Sequence, residues 1–118
     1  MPNVTELLIL RDKLRVFAEE RDWDQYHSPK NLTMALMVEV AELMEHFQWL
    51  TEAQSIDLEI EIKVKVAEEL ADILLYLIRL SDKLNVDLQE VTLRKLENNN
   101  LRYPADKVRG SSKKYSDY

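Results

Sequence analysis

IDLEIEIKVKV, Ile56 to Val66, is the stretch on which the fold class turns. Ile56, Leu58, Ile60, Ile62, Val64 and Val66 alternate with charged residues, which is the period of a half-buried strand. A lone strand has nothing to pair with here, because a single strand is not stable without neighbours. As a helix, the same residues place Glu59 four before Lys63 and Glu61 four before Lys65, both favourable pairs. The segment is therefore assigned to a helix continuing to about Leu84, and the chain to the all-α class.

The surrounding sequence agrees. The prolines are Pro2, Pro29 and Pro104, so residues 30–103 contain no proline, and the single glycine is Gly110. Long helices joined by short connections follow. A first helix is expected after Asn3, which caps while Glu6 completes a capping box, and runs to about Arg21 with Leu7, Leu10, Leu14 and Phe17 at helical spacing. Asp22 to His27 is an aromatic-rich loop. Ser28 followed by Pro29 reads as cap plus first-turn proline, opening a second helix that reaches Trp49 or Leu50. Asp87 and Glu90 form a capping box for a fourth helix, which ends near Arg102 because Pro104 stops it. The expectation is a four-helix bundle-like protomer over residues 1–104, followed by a loosely ordered basic tail over residues 105–118.

With 118 residues, of which 46% are hydrophobic, the chain suits one domain with a real core. One glycine excludes a glycine-rich phosphate loop and a dinucleotide fingerprint, since each needs several positions without a side chain. Lacking cysteine, the chain has no disulfides, thiolate zinc sites or cysteine nucleophiles, which suits a reducing compartment. Met1 to Leu10 carries no targeting pattern and no apolar run approaches the roughly 20 residues of a spanning helix, so a cytoplasmic protein off the membrane is expected. The net charge of −6 argues against general nucleic-acid binding. It is unevenly spread: 10 basic and 19 acidic residues through Arg94, then 6 basic and 3 acidic from Lys95.

The second helix carries Glu39 and Glu42, and the third Glu69 and Asp72, each pair three residues apart. That spacing holds the Cβ atoms of a pair about 5–6 Å apart, so the charges repel unless a cation lies between them. Such pairs are common on solvated helices. Here, however, Glu39, Glu42 and His46 occupy a narrow arc of a helix apolar over most of its circumference, with Leu32, Leu36, Val40, Leu43 and Phe47 on one side and Met34, Val38 and Trp49 on the other. A helix of that kind is expected to be buried nearly all round, with its acidic stripe facing an enclosed space. The third helix has a comparable sector of Glu68, Glu69, Asp72, Tyr76 and Arg79, which taken alone passes for a solvated face. Unpaired carboxylates facing an interior are costly, and a hard cation with oxygen ligands and room for phosphate, Mg²⁺ best of all, resolves that cost. A carboxylate di-iron bundle needs Glu-x-x-His on two helices; His46 stands four after Glu42 and reads as a polar neighbour instead.

ALMVEVAELMEHFQW (Ala35 to Trp49) followed by EELADILLYL (Glu68 to Leu77) resembles the all-α nucleoside triphosphate pyrophosphohydrolases, the MazG-like superfamily, with its Glu-x-x-Glu then Glu-x-x-Asp pattern. The dCTP pyrophosphatases are the nearer likeness, through FAEERDWDQYHSPKNL (Phe17 to Leu32), VDLQEV (Val86 to Val91), KLENNNLRYP (Lys95 to Pro104) and SSKKY (Ser111 to Tyr115). The resemblance implies Mg²⁺-dependent hydrolysis of a deoxynucleoside triphosphate to monophosphate and pyrophosphate, with Glu39, Glu42, Glu69 and Asp72 as metal ligands. Val38 stands where the wider family often has a second acid. Trp23, Trp49 and Tyr76 match base-pocket positions, with His27 and Asn99 as candidate polar contacts. Lys95, Asn99 and Arg102 fall at i, i+4 and i+7 beside Tyr103, a stripe suited to a triphosphate or to a solvated helix end. The family assembles as dimers of dimers, and a homotetramer also answers the breadth of the second helix's apolar surface. Glu42 or a neighbouring carboxylate orients the attacking water. Two rival readings stay open: a same-fold hydrolase for another nucleotide such as dUTP, and a catalytically silent helical interaction module.

Overall fold

The computed structural model describes residues 5–111. Among them the regular structure is entirely helical: α1 (Glu6–Glu20), a 3₁₀ turn (Asp24–Tyr26), α2 (Pro29–Glu45), α3 (Glu52–Ile56), α4 (Ile60–Lys83), α5 (Leu88–Arg102) and α6 (Ala105–Val108). The helices α1 to α4 lie in one compact unit ending at Val86, and α5 and α6 in a second beginning at Asp87.

Thr5, in extended conformation, caps α1 by accepting from the Leu8 amide, so this helix starts at Glu6 and not after Asn3, which lies outside the described residues. Ser28 caps α2 as expected, its hydroxyl accepting from the Asn31 amide at 3.1 Å with Pro29 in the first turn. α2 stops at Glu45, four or five residues short of the expected end. The amides of Phe47 and Gln48 both turn back to the Met44 carbonyl at 2.9 Å, and Thr51 and Gln54 then form a reciprocal capping box that opens α3. A capping residue needs extended backbone, so the box forces a break that apolar periodicity does not reveal.

The helical assignment of the alternating segment holds from Ile60 onward. It fails at its start, where Ile56 ends α3 and Asp57 to Glu59 form the link to α4. α4 is the centre of its unit, packing most extensively on α2 and next on α1. Ala18, Leu32, Val66 and Ile78 are the buried apolar side chains among the described residues. α2 is not buried all round within one chain: Met34, Met37, Val38 and Met44 are each more than half exposed.

α1 and α4 end alike. The Trp23 amide reaches the Ala18 carbonyl while that of Asp22 reaches Glu19, and the Val86 amide reaches Ser81 while that of Asn85 reaches Asp82. Both are Schellman motifs, whose penultimate residue must adopt the left-handed region usually given to glycine. With no glycine nearby, Asp22 (φ 54°) and Asn85 (φ 55°) fill these positions.

In the second unit, Asp87 caps α5 by accepting from the Glu90 amide at 3.0 Å, but the Glu90 carboxylate pairs with Arg94 and not with the cap. α5 ends at Arg102 as the proline requires. The expected loose tail departs from that description at its start, where Ala105–Val108 make a helical turn.

Candidate active site

The packing of α2 on α4 brings two acidic pairs face to face. One carboxylate oxygen each from Glu39, Glu69 and Asp72 lies within 4.8 Å of the others. Glu42 is outside this group of three, one turn on from Glu39 and close enough that its charge acts on it. Oε2 of Glu39 and Oε2 of Glu69 are buried with no hydrogen-bond partner. Burial, then the hydrogen bond that a protonated Glu39 offers Glu69, then the charges of Glu42 and Asp72, push Glu39 up to about 7. Ionised together, these acids repel and two of their oxygens have no donor.

A hard divalent cation satisfies both demands, since carboxylate oxygens gathered at this spacing can close on an ion at ordinary coordination distances of about 2.0–2.6 Å. The donor set, all oxygen and with no thiolate or imidazole, selects that class over zinc or copper. His46 stands beside the group, its Nε2 3.6 Å from Glu69 Oε1. The Tyr76 phenol, one turn along α4 from Asp72, is half-buried and held above its usual range by burial and then by the charges of Glu39 and Asp72.

The MazG-like sequence family matches residues 34–118, a span holding all four acids. The chain belongs to the MazG-like family. Among curated relatives it is 45% identical over 103 residues to dCTP pyrophosphatase 1 of Rattus norvegicus and likewise to that of Homo sapiens, in each case 86% of this chain and 61% of the relative. It therefore spans less than two thirds of their length. A pyrophosphatase from Archaeoglobus fulgidus has the same fold, with a TM-score of 0.80 and 38% identity over 88% of this chain and 97% of that one.

The remaining expected residues of this MazG-like chain fall into separate groups. Trp23 and His27 are neighbours across the 3₁₀ turn, their ring centroids 6.5 Å apart, with Phe17 edge-on to Trp23 at 5.6 Å. Trp49 lies in the turn after α2, is 86% exposed, and has no ring contact among the described residues. In the second unit, Lys95 is exposed and Asn99 half-buried on α5, and the Arg102 guanidinium lies over the Tyr103 ring at 5.9 Å.

One group was not legible in the sequence. Arg79, which reads as part of a solvated face, is only 6% exposed. Its guanidinium donates to Asp24 Oδ1 at 2.7 Å and to His27 Nδ1 at 3.1 Å, and lies 3.7 Å from Asp82. Lys83 also binds Asp24, and Arg15 grips Asp82 in a two-pronged pair at 2.6 and 2.7 Å. Arg15, Asp24, Arg79, Asp82 and Lys83, but not His27, line a cleft of about 560 Å³ between the ends of α1 and α4. Asp24 and Arg79 are 55 positions apart, and no local spacing signals their meeting.

Proposed function

We propose that this protein hydrolyses a deoxynucleoside triphosphate, dCTP or a modified dCTP in preference, to the monophosphate and pyrophosphate with Mg²⁺ as its cofactor, cleaning the nucleotide pool. The observation that carries this reading is the convergence of Glu39, Glu69 and Asp72 with two buried carboxylate oxygens lacking donors. The dCTP pyrophosphatase relatives support the substrate class.

Glu39, Glu69 and Asp72 hold the ion, with Glu42 beside them. When bound, Mg²⁺ offsets charge on the phosphate oxygens and makes water a better nucleophile. Glu42, outside the group of three, is the carboxylate left to orient the attacking water and take its proton. The water oxygen bonds to the α-phosphorus, the bond from that phosphorus to the bridging oxygen breaks, and pyrophosphate leaves with the electron pair. Trp23 and His27 form one wall of the base site with Tyr76 between them and the acids along α4, while Trp49 supplies a second aromatic. On the second unit, the Lys95, Asn99, Arg102 and Tyr103 stripe of α5 is suited to phosphate oxygens by its cations and its helical spacing.

The exposed Met34, Met37, Val38 and Met44 of α2 support a homotetramer in which a second copy covers that face. No helix of the described residues is long and apolar enough to cross a membrane. Together with the acidic net charge this supports a cytoplasmic enzyme acting on free nucleotides, with neither nucleic acid nor membrane as partner.

Pyrophosphate release from a panel of deoxynucleoside triphosphates, with and without Mg²⁺, tests the reading. Turnover of dCTP that needs Mg²⁺ and is abolished in Glu42→Gln and Asp72→Asn, with both variants folded, is expected. Near wild-type rates in either variant would overturn the site; a stable monomer in sedimentation at micromolar concentration would overturn the assembly.

A further inference from the structure

The buried Arg79 network has no part in the chemistry at the acids, yet it ends on a residue of the base site. Along α4, Asp72, Tyr76 and Arg79 follow at i, i+4 and i+7, so one stripe joins them over an axial rise of about 10 Å. At its far end Arg79 Nε donates to Nδ1 of His27. A guanidinium has five N–H donors and no acceptor, so a hydrogen bond from it requires Nδ1 to present a lone pair. A neutral imidazole with a lone pair on Nδ1 carries its proton on Nε2. The other nitrogen, Nε2, makes no hydrogen bond to the described residues. Arg79 is itself fixed, by Asp24 at 2.7 Å and by Asp82 at 3.7 Å, and Asp24 is shared with Lys83.

We propose that Arg79 is a positioning residue for base recognition: anchored by Asp24 and Asp82, it locks His27 as the Nε2–H tautomer and makes it a committed hydrogen-bond donor beside Trp23. The proposal rests on the reading of Trp23 and His27 as a wall of the base site. Trp23 stacks on any base, so discrimination must come from polar contacts of fixed polarity. A histidine free to exchange tautomers, or to take up a proton, presents a donor or an acceptor as the ligand demands. A locked donor discriminates where it meets N3, an acceptor in cytosine but a hydrogen-bearing donor in uracil and thymine; O2 is an acceptor in all three and does not separate them. The charge environment acts in the same direction: burial and then the Arg79 and Lys83 charges hold His27 below the usual histidine range, against an opposing effect of Asp24, so the ring stays neutral.

The tautomer can be read in the intact protein without substrate. Histidine is present only at positions 27 and 46, so uniform ¹⁵N labelling of histidine and two-bond ¹H–¹⁵N correlation resolves both rings, with His46→Gln giving the assignment. The expected result at neutral pH is an unprotonated Nδ1 and a protonated Nε2 on His27, titrating below its ordinary range. In Arg79→Met the two nitrogens should average and the titration move upward; Arg79→Lys, which keeps a donor, should restore part of the wild-type pattern. For dCTP turnover, Arg79→Met should raise KM by about three- to tenfold, the range set by one misdirected hydrogen bond, with kcat within about twofold. An Nδ1–H or doubly protonated His27 in the wild type would overturn the lock, and needs no variant to fold. The expected tautomer together with an unchanged KM in both Arg79→Met and His27→Leu would leave the lock standing and overturn its role in recognition, along with the placement of the base at Trp23.

Discussion

Replacing Glu39 by glutamine should stabilise the metal-free protein, and increasingly so as pH rises. Folding lifts this carboxyl from 4.5 to about 7. The folded state therefore holds the proton more tightly than the unfolded one; its contribution to stability is fully present below about pH 4.5 and is lost as pH rises through about 7. A lift of that size corresponds to about 3 kcal/mol at 1.36 kcal/mol per pKa unit. Because Glu39 is half-buried and the charges around it are partly screened by water, the realised cost is smaller, about 1–2 kcal/mol between about pH 5.5 and pH 8. Glutamine has nearly the same shape and no charge to lose. Thermal unfolding in chelator at these two pH values should show the wild type losing stability on going to the higher pH and Glu39→Gln losing much less, a gap of roughly 4 °C per kcal/mol. Adding Mg²⁺ should reverse the order, raising the wild type and leaving the variant nearly unmoved. Equal pH slopes for the two proteins without metal would refute the reasoning, since the acids would then not be crowding one another.

Three further outcomes concern the scaffold. Asn85→Gly should stabilise the protein and Asn85→Ala destabilise it, each by about 0.5–1 kcal/mol in denaturant titration, because the position sits at φ 55°. Leu32→Ala should cost about 2–5 kcal/mol, this side chain being 2% exposed where α2 enters the core. The Arg15 hydrogen bond holds Asp82 below the usual carboxylate range, so its stabilisation is present above that range and disappears as pH falls through the lowered value. Asp82→Asn should therefore be less stable than the wild type at neutral pH and should converge on it in acid; parallel acid-unfolding curves would contradict the pairing.

The chain's helical content was legible because it is decided by neighbours in sequence. Ser28 and Pro29 set the start of α2, and Asp87 and Pro104 bracket α5, through contacts within four residues. The boundary errors have the same origin in reverse. Thr51 and Gln54 outcompete the apolar pattern of α2, and Asp57 to Glu59 interrupt an alternating run whose periodicity is unbroken. Asp22 and Asn85 carry out a glycine's task in a chain whose one glycine lies elsewhere, so the usual marker of a helix end was missing.

The candidate site divides along the same line. Spacing alone put Glu39 with Glu42 on one helical face and Glu69 with Asp72 on another, because a helix repeats every 3.6 residues whatever surrounds it. Only the packing of α2 on α4 brought Glu39, Glu69 and Asp72 together, left Glu42 outside their group and stripped donors from two of the oxygens. Arg79 shows the limit most sharply: its charge is written in the sequence, its burial and its grip on His27 are not. Desolvation and the choice of ion-pair partner are sums over everything within a few ångströms, and those neighbours come from segments some fifty residues away that only the folded chain assembles.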